Sequence, residues 1–246
     1  MDSWQDEQGL LFNPWPRVSL LPLGAGRPCV IVDDVLAHPQ RVVDWSAGQR
    51  FVRPQSYPYP GVVLDLPHDV ARKVTDLFDQ HARGRLGGRR TLGTTLRLAM
   101  VTTPPHQLAP LQWQCHRDRI ADDPTASVYA ACVLYLFHDA SLGGTSFYQP
   151  RRTESETSRM LMDSRQMSAD AFGERHGLRA GYMDGDNAYF ERVASVPAAW
   201  NRMIFYDGSM FHSGDIGLDH PHSLDADPRK GRLTMNGFFT CKPAAR

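Results

Sequence analysis

The stretch SVYAACVLYLF (residues 127–137) is nearly continuous in apolar residues and rich in β-branched and aromatic types. It is too short to cross a bilayer, and it lacks the polar/apolar alternation of a half-solvated strand. A strand of this kind needs cover on both faces, so the fold must place layers on either side of it. Other segments read as strands: PCVIVDDVL (28–36), TTLRLAMVT (94–102), TSFYQP (145–150), NRMIFYD (201–207) and RLTMNGFFT (232–240), separated by Gly, Pro and Asp clusters. Many short strands following an N-terminal helical region predict a mainly β chain with flanking helices, built on a sandwich or jelly roll.

The helical signals come early. Pro39 suits a first helical position ahead of QRVVDWS. In PHDVARKVTDLFDQH (67–81) the 3.6-residue period puts Val70, Val74, Leu77, Phe78 and His81 on one face, as expected of a helix packed on a core. Residues 1–27 read as an extended surface stretch, 56–67 as a turn-rich connector and HARGRLGGRRTLG (81–93) as a solvated Gly/Arg loop. The polar, methionine-dotted stretch 151–177 reads as a functional or disordered insertion that carries a short helix. There is no internal repeat and no clear linker.

Composition narrows the class. The chain has 246 residues, 41% of them hydrophobic and 22% charged, with a formal net charge of zero. No overall field favours nucleic acid or an anionic membrane, so neither is expected as a partner. The four cysteines (Cys29, Cys115, Cys132, Cys241) form no CxxC pair, and two lie in strand-like surroundings where a thiol behaves as a small hydrophobe. Together with an N-terminus that lacks a signal-length apolar run, this predicts a cytoplasmic protein.

The chemistry concentrates in CHRD (115–118). In extended chain, His116 and Asp118 project to one side and Arg117 to the other. An imidazole and a carboxylate on one side can ligate one cation, but such a pair is common and needs a third donor. His212, in MFHSG, is the candidate. Two histidines and one carboxylate with open coordination positions are the donor set of non-haem Fe(II) oxygenases, although zinc accepts the same ligands. Arg232 and Thr234 are also two residues apart and share a face if extended. A guanidinium inside an apolar strand needs an anionic partner, which a bound dicarboxylate would supply. His220 and His222, among acids and Pro221, read as a solvated loop. His106, His138 and His176 are isolated, and His38, His68 and His81 read as surface or packing residues.

The order of these motifs (CHRD, ACVLYLFHDASLGGTSFY, NRMIFYDGSMFHSG, GRLTMNGFF) resembles the Fe(II)/2-oxoglutarate-dependent oxygenase superfamily, in its prolyl 4-hydroxylase-like branch. The opening CVIVDDVLAHPQRVVDWS is similar to the entry strand and helix of that branch. The resemblance implies a double-stranded β-helix (jelly roll) core at 94–241, an N-terminal strand and helix support region at 1–93, and a single oxygenase-like domain over 1–246. It implies His116, Asp118 and His212 as iron ligands and catalytic centre. Arg232 would bind the distal carboxylate of 2-oxoglutarate, with Thr234 beside it and Tyr135 reaching the same group; Tyr129 is a competitor for that last role. Gly143 and Gly144 would shape a hairpin turn. Cofactors would be Fe(II), 2-oxoglutarate as cosubstrate and dioxygen, yielding succinate and carbon dioxide. A carboxylate at Asp118, where a halogenase leaves room for halide, implies hydroxylation of an amino acid, peptide or small metabolite. Arg97, Trp113 and Gln114 are candidate pocket residues, and 151–177 is a candidate lid. The spacing between His212 and Arg232 is longer than in many members. The competing readings are a cupin-like metalloprotein without redox turnover and a zinc-dependent hydrolase.

Overall fold

The apolar run becomes a strand buried along almost its whole length, and the remaining strands assemble around it. The structure is a computed structural model that describes residues 10–24, 28–118 and 127–244. The strands, in chain order, are β1 (Arg17–Leu21), β2 (Cys29–Asp33), β3 (Gly61–Asp65), β4 (Gly88–Val101), β5 (Val128–Tyr135), β6 (Thr145–Pro150), β7 (Phe190–Val196), β8 (Met203–Asp207), β9 (Phe211–Gly214) and β10 (Thr234–Pro243). The helices are α1 (Pro39–Ser46), α2 (His68–His81), α3 (Glu154–Gln166) and α4 (Ala169–His176). Among the described residues the strands form a large sheet, β1-β2-β8-β5-β10-β4-β3, and a small one, β7-β6-β9, with every neighbouring pair antiparallel.

Alternation sorts the large sheet into two faces. Its outer face (Val30, Val32, Leu96, Leu98, Met100, Ala130, Cys132, Leu134, Met203, Phe205, Met235, Phe239) joins the apolar sides of α1 and α2 in one core. Phe78 of α2 stacks on Phe239 at 4.0 Å between centroids. The inner face (Ala131, Val133, Tyr135, Ile204, Tyr206) meets Phe147 and Val196 of the small sheet in a second core. β5 is therefore covered on both sides, as its composition required. The four cysteines are buried and free. No described helix is long and apolar enough to cross a membrane.

Several expectations need correction. The N-terminal stretch is not merely extended over the surface: β1 pairs with β2 at the sheet edge, while residues 1–9 and 25–27 lie outside the described residues. The connector at 56–67 contains β3, because GVVLD finds a partner in β4. The Gly/Arg segment read as a loop supplies the first half of β4, since Gly88–Gly93 pairs across bulges with the far end of β10. The 151–177 stretch is two helices, not a disordered insertion. Thr153 and Glu156 form a reciprocal capping box at the start of α3, and Ser168 caps α4. Met160 and Phe172 bury against Trp113, Phe190 and Phe211 in a third core.

Asn201 locks the turn before β8 to the chain after β2. It adopts φ 61°, its amide bonds both the N–H and the C=O of Leu36 at 2.9 Å, and its own N–H donates to the Tyr135 carbonyl. Asn201→Ala leaves a buried donor and acceptor unsatisfied and strains a left-handed backbone, a loss of about 3 kcal/mol. Asn201→Gly relieves the strain but not the missing bonds, so it falls between the two in urea denaturation midpoint. A wild-type midpoint for the alanine variant would refute the clamp.

Candidate metal centre

His116 and His212 are 96 residues apart in sequence yet face each other across an isolated antiparallel bridge. Each backbone N–H donates to the other's carbonyl at 2.9 Å. Directly opposed residues project to the same side, so this pairing brings the two imidazoles together, with ring centroids 4.4 Å apart. Two residues on, the Asp118 N–H donates to the Gly208 carbonyl at 2.8 Å, which turns the carboxylate inward. Arg117 points the other way, over the Phe211 ring at 4.0 Å and toward Glu154 of α3 at 3.5 Å. The helical insertion thus braces the segment that carries the first two candidate ligands.

His116 Nε2 lies 3.4 Å from Asp118 Oδ1, and His212 Nε2 lies 3.1 Å from Asp118 Oδ2. One donor atom from each of the three residues falls within 4.8 Å of the others, and among the described residues no other His/Cys/Asp/Glu group has this arrangement. Two donors each about 2.1 Å from a common ion and at right angles are about 3.0 Å apart, so the observed spacings suit one cation. His212 Nδ1 is 3.0 Å from the Met210 carbonyl, a contact that fixes the proton there and leaves Nε2 as the donor toward the site. The side chains of His212 and Asp118 are 5% and 10% exposed, whereas His116 is 57% exposed and marks the open side.

The electrostatics follow from burial and pairing. Burial would raise the Asp118 carboxyl, but the His212 and His116 imidazoles outweigh it and hold the group well below the ordinary carboxylate range. Burial would push His212 down, and the Asp118 carboxylate and Met210 carbonyl instead push it up. Tyr206, on the inner face of β8, places its hydroxyl 3.4 Å from Asp118 Oδ2 and its ring 4.6 Å from that of His212. Sequence reasoning missed this residue, although alternation from Ile204 would have put it on the inner face.

A second polar cluster lies along the same inner surface. Gly214 is two residues beyond His212 on β9 and so faces the same way, about 7 Å along the strand. A Cβ there would come within 3.5 Å of Arg232 Nη2, so the guanidinium packs over the bare glycine. Arg232 is buried and donates from Nε to the Gly143 carbonyl (3.0 Å) and from Nη2 to the Gly144 carbonyl (2.8 Å). The glycine pair is not the hairpin turn expected, because β5 lies in the large sheet and β6 in the small one; it is a tight crossover between the sheets, where a Cβ on Gly143 (φ 98°) would fall 1.4 Å from the Asp215 carbonyl oxygen. Two of the five guanidinium N–H groups are thereby used and three remain. Among the described residues no carboxylate forms an ion pair with Arg232. Tyr135 is fully buried, with its ring centroid 6.0 Å from Arg232 Cζ and its hydroxyl donating to Thr145 at 2.8 Å. Thr234 shares the face, but its hydroxyl turns to the Ala99 carbonyl at 3.3 Å and accepts from Asn236 at 3.1 Å. Tyr129, six residues before Tyr135, stands near the far end of β5.

The remaining candidates have structural partners. Trp113 is core, with Nε1 donating to the Leu108 carbonyl, and the Gln114 side chain accepts from Asn187. His220 pairs with Asp139 and His222 with Asp225, so the second histidine pair is satisfied by acids. His176 bridges Tyr189 and Asp163, and His138 stacks on Trp200.

Among solved structures the chain is similar to HygX from Streptomyces hygroscopicus with nickel and 2-oxoglutarate bound (9% identity, 87% of this chain and 82% of that one, TM-score 0.48). It is also similar to a Pseudomonas putida prolyl-4-hydroxylase (14% identity, 82% and 83%, TM-score 0.37) and to an N-substituted L-amino acid dioxygenase from Burkholderia ambifaria AMMD (12% identity, 94% and 95%, TM-score 0.40). No curated protein matches it in sequence. A family model does match, over residues 14–239, and on that match the chain belongs to DUF6445, a family of unknown function.

Proposed function

We propose that this protein is an Fe(II)- and 2-oxoglutarate-dependent oxygenase that hydroxylates an unactivated C–H bond of an amino acid, peptide or small metabolite. The observation that carries the reading is one inner surface holding both halves of the required site. A His/Asp/His donor set lies at one position, and over Gly214, two residues along β9 from His212, packs the buried Arg232 guanidinium, with which among the described residues no carboxylate forms an ion pair. A metal-bound dicarboxylate is the partner that surface calls for, and a hydrolase has no use for it.

In this reading His116, Asp118 and His212 hold the iron on one side, and Arg232 takes the distal carboxylate with Tyr135 and Thr234 packed beside it. Iron and keto acid supply the oxidation of a C–H bond by dioxygen, with release of succinate and carbon dioxide. The chain's own work is binding and orientation. The Met210 carbonyl orients His212, the Gly143 and Gly144 carbonyls orient Arg232, and the Phe147 and Tyr206 rings, 5.2 Å apart, form an aromatic wall beside His212. Asp118 keeps a carboxylate in the donor set, which supports hydroxylation over halogenation.

We read the two sheets as a double-stranded β-helix and residues 1–246 as a single domain. In support, β1, β2 and β3 from the 1–93 region extend the same sheet as the strands of 94–241, of which residues 119–126 lie outside the described ones. The free, buried thiols support a reducing, cytoplasmic setting.

The test is anaerobic addition of Fe(II) and 2-oxoglutarate. The oxygenase reading expects a visible metal-to-ligand band that needs both components, and succinate release once oxygen is admitted with a substrate from an amino-acid and peptide panel. Tight zinc binding with no band would favour the hydrolase reading instead.

A further inference from the structure

Arg97 has no role in the site described so far, and its surroundings are unusual for an arginine. It lies in β4, directly opposite Asn236 of β10, on the inner face that carries Thr234 and Ala99. Its guanidinium carbon sits 4.4 Å from the Tyr57 ring centroid and 4.6 Å from that of Phe238, with the Tyr59 ring at 5.9 Å. Nε is buried without a hydrogen-bond partner. Asp65, its cross-strand neighbour on β3, is exposed at the strand end, and among the described residues no acid forms an ion pair with Arg97. Ring stacking offsets part of the cost of a half-buried cation but satisfies none of its N–H donors. A guanidinium packed against rings is restricted in where its N–H groups can point, and its planar fork suits a carboxylate.

Register places this group relative to the two clusters. Along the strand direction Arg97 is level with Asn236, between Thr234, which neighbours Arg232, and Phe238, which is level with Ala131 and Tyr206 of the metal end. Sideways, β4 is three strands from β8, or about 14 Å. Arg232 precedes β10, the strand next to β4, and Thr234 pairs with Ala99, so Arg232 is level with Val101, four residues or about 13 Å along the strand from Arg97; the two are separate cations on one face. Tyr59 feels both arginines: burial pushes its hydroxyl up to about 12, while Arg232 and Arg97 pull the other way.

We propose that Arg97, clamped between Tyr57 and Phe238, binds the carboxylate of the substrate, so that the substrate of this protein is a small organic acid. The inference rests on the oxygenase reading for the word substrate; the anion site itself does not. Tyr57 and Phe238 set the specificity by packing against the apolar atoms next to the carboxylate.

The test titrates the full chain, loaded with Ni(II) and 2-oxoglutarate so that the Arg232 end is filled, with acetate, benzoate, N-acetylglycine and hippurate, each against its neutral amide, by calorimetry and saturation-transfer NMR. At least one carboxylate should bind saturably and at least 10-fold more tightly than its amide. Arg97→Met should erase that preference while leaving 2-oxoglutarate binding in place; Arg97→Gln repeats the measurement if the methionine variant melts early. Three outcomes overturn the proposal: no carboxylate preference in the wild type, a preference that survives both variants, or loss of 2-oxoglutarate binding in them, which would make Arg97 the cosubstrate anchor. If the wild type fails to take up 2-oxoglutarate with Ni(II) at all, the oxygenase reading fails instead. The carboxylate–amide comparison needs no metal and still decides the role of Arg97.

Discussion

His212→Ala is expected to abolish metal uptake, the 2-oxoglutarate band and all succinate release. The residue is the buried imidazole of the triad, held by the Met210 carbonyl on one nitrogen and facing Asp118 with the other. Its loss leaves an acid and one half-exposed histidine, a pair too sparse to hold a divalent ion against water. Loss of a hydrogen bond behind a metal ligand already costs about 10- to 100-fold in affinity, so loss of the ligand itself should exceed about 100-fold. Equilibrium dialysis with Ni(II) reads the effect without turnover. His220→Ala is the control: His220 pairs with Asp139 and accepts from the His222 N–H, away from the triad, so this variant should take up metal as the wild type does. The fold should survive, since His116 and His212 are joined through backbone bonds that the substitution keeps. Undiminished Ni(II) affinity in a folded His212→Ala protein would remove the metal centre from the molecule.

What the amino-acid sequence made legible, and what it hid, divides along a physical line. Strands with strong local composition were readable: β5 through its unbroken apolar run, β8 and β10 through theirs. Strands that exist because a distant partner holds them were not. β3 hides in a Pro-rich connector, and the first half of β4 looks like a basic loop until the end of β10 pairs with it. β1 is exposed along most of its length and has little burial pattern to read. Helix α3 buries only Thr157, Met160 and Ser164, so its apolar stripe is too thin to register, and its capping box was the signal available. At the site, HxD spacing correctly put His116 and Asp118 on one side. Nothing local foretold that the partner of His116 would be His212 itself, hydrogen-bonded to it in register, because pairing between segments 96 residues apart is a property of the assembled sheets. Arg97 shows the same limit, since the rings around it come from two segments far from it in sequence, Tyr57 and Tyr59 in one and Phe238 in the other.

Arg232→Met should separate cosubstrate binding from metal binding. The guanidinium braces the Gly143–Gly144 turn with two donors and has three left for an anion. Removing one partner from a buried, charge-assisted pair costs about 2–5 kcal/mol, or about 30- to several thousand-fold in affinity. The expected result is Ni(II) affinity close to wild type with 2-oxoglutarate affinity reduced about 1000-fold. The turn contributes its own penalty, because both glycine carbonyls lose a donor, so the variant should also melt earlier. Arg232→Lys divides the two effects. A lysine can reach one carbonyl and keep the charge, but it cannot present a planar fork, so it should recover part of the stability and little of the cosubstrate affinity. If both variants bound 2-oxoglutarate normally, the buried cation would be only a brace for the glycine turn. The metal site would then stand without its anchor, and the zinc hydrolase reading would regain its footing.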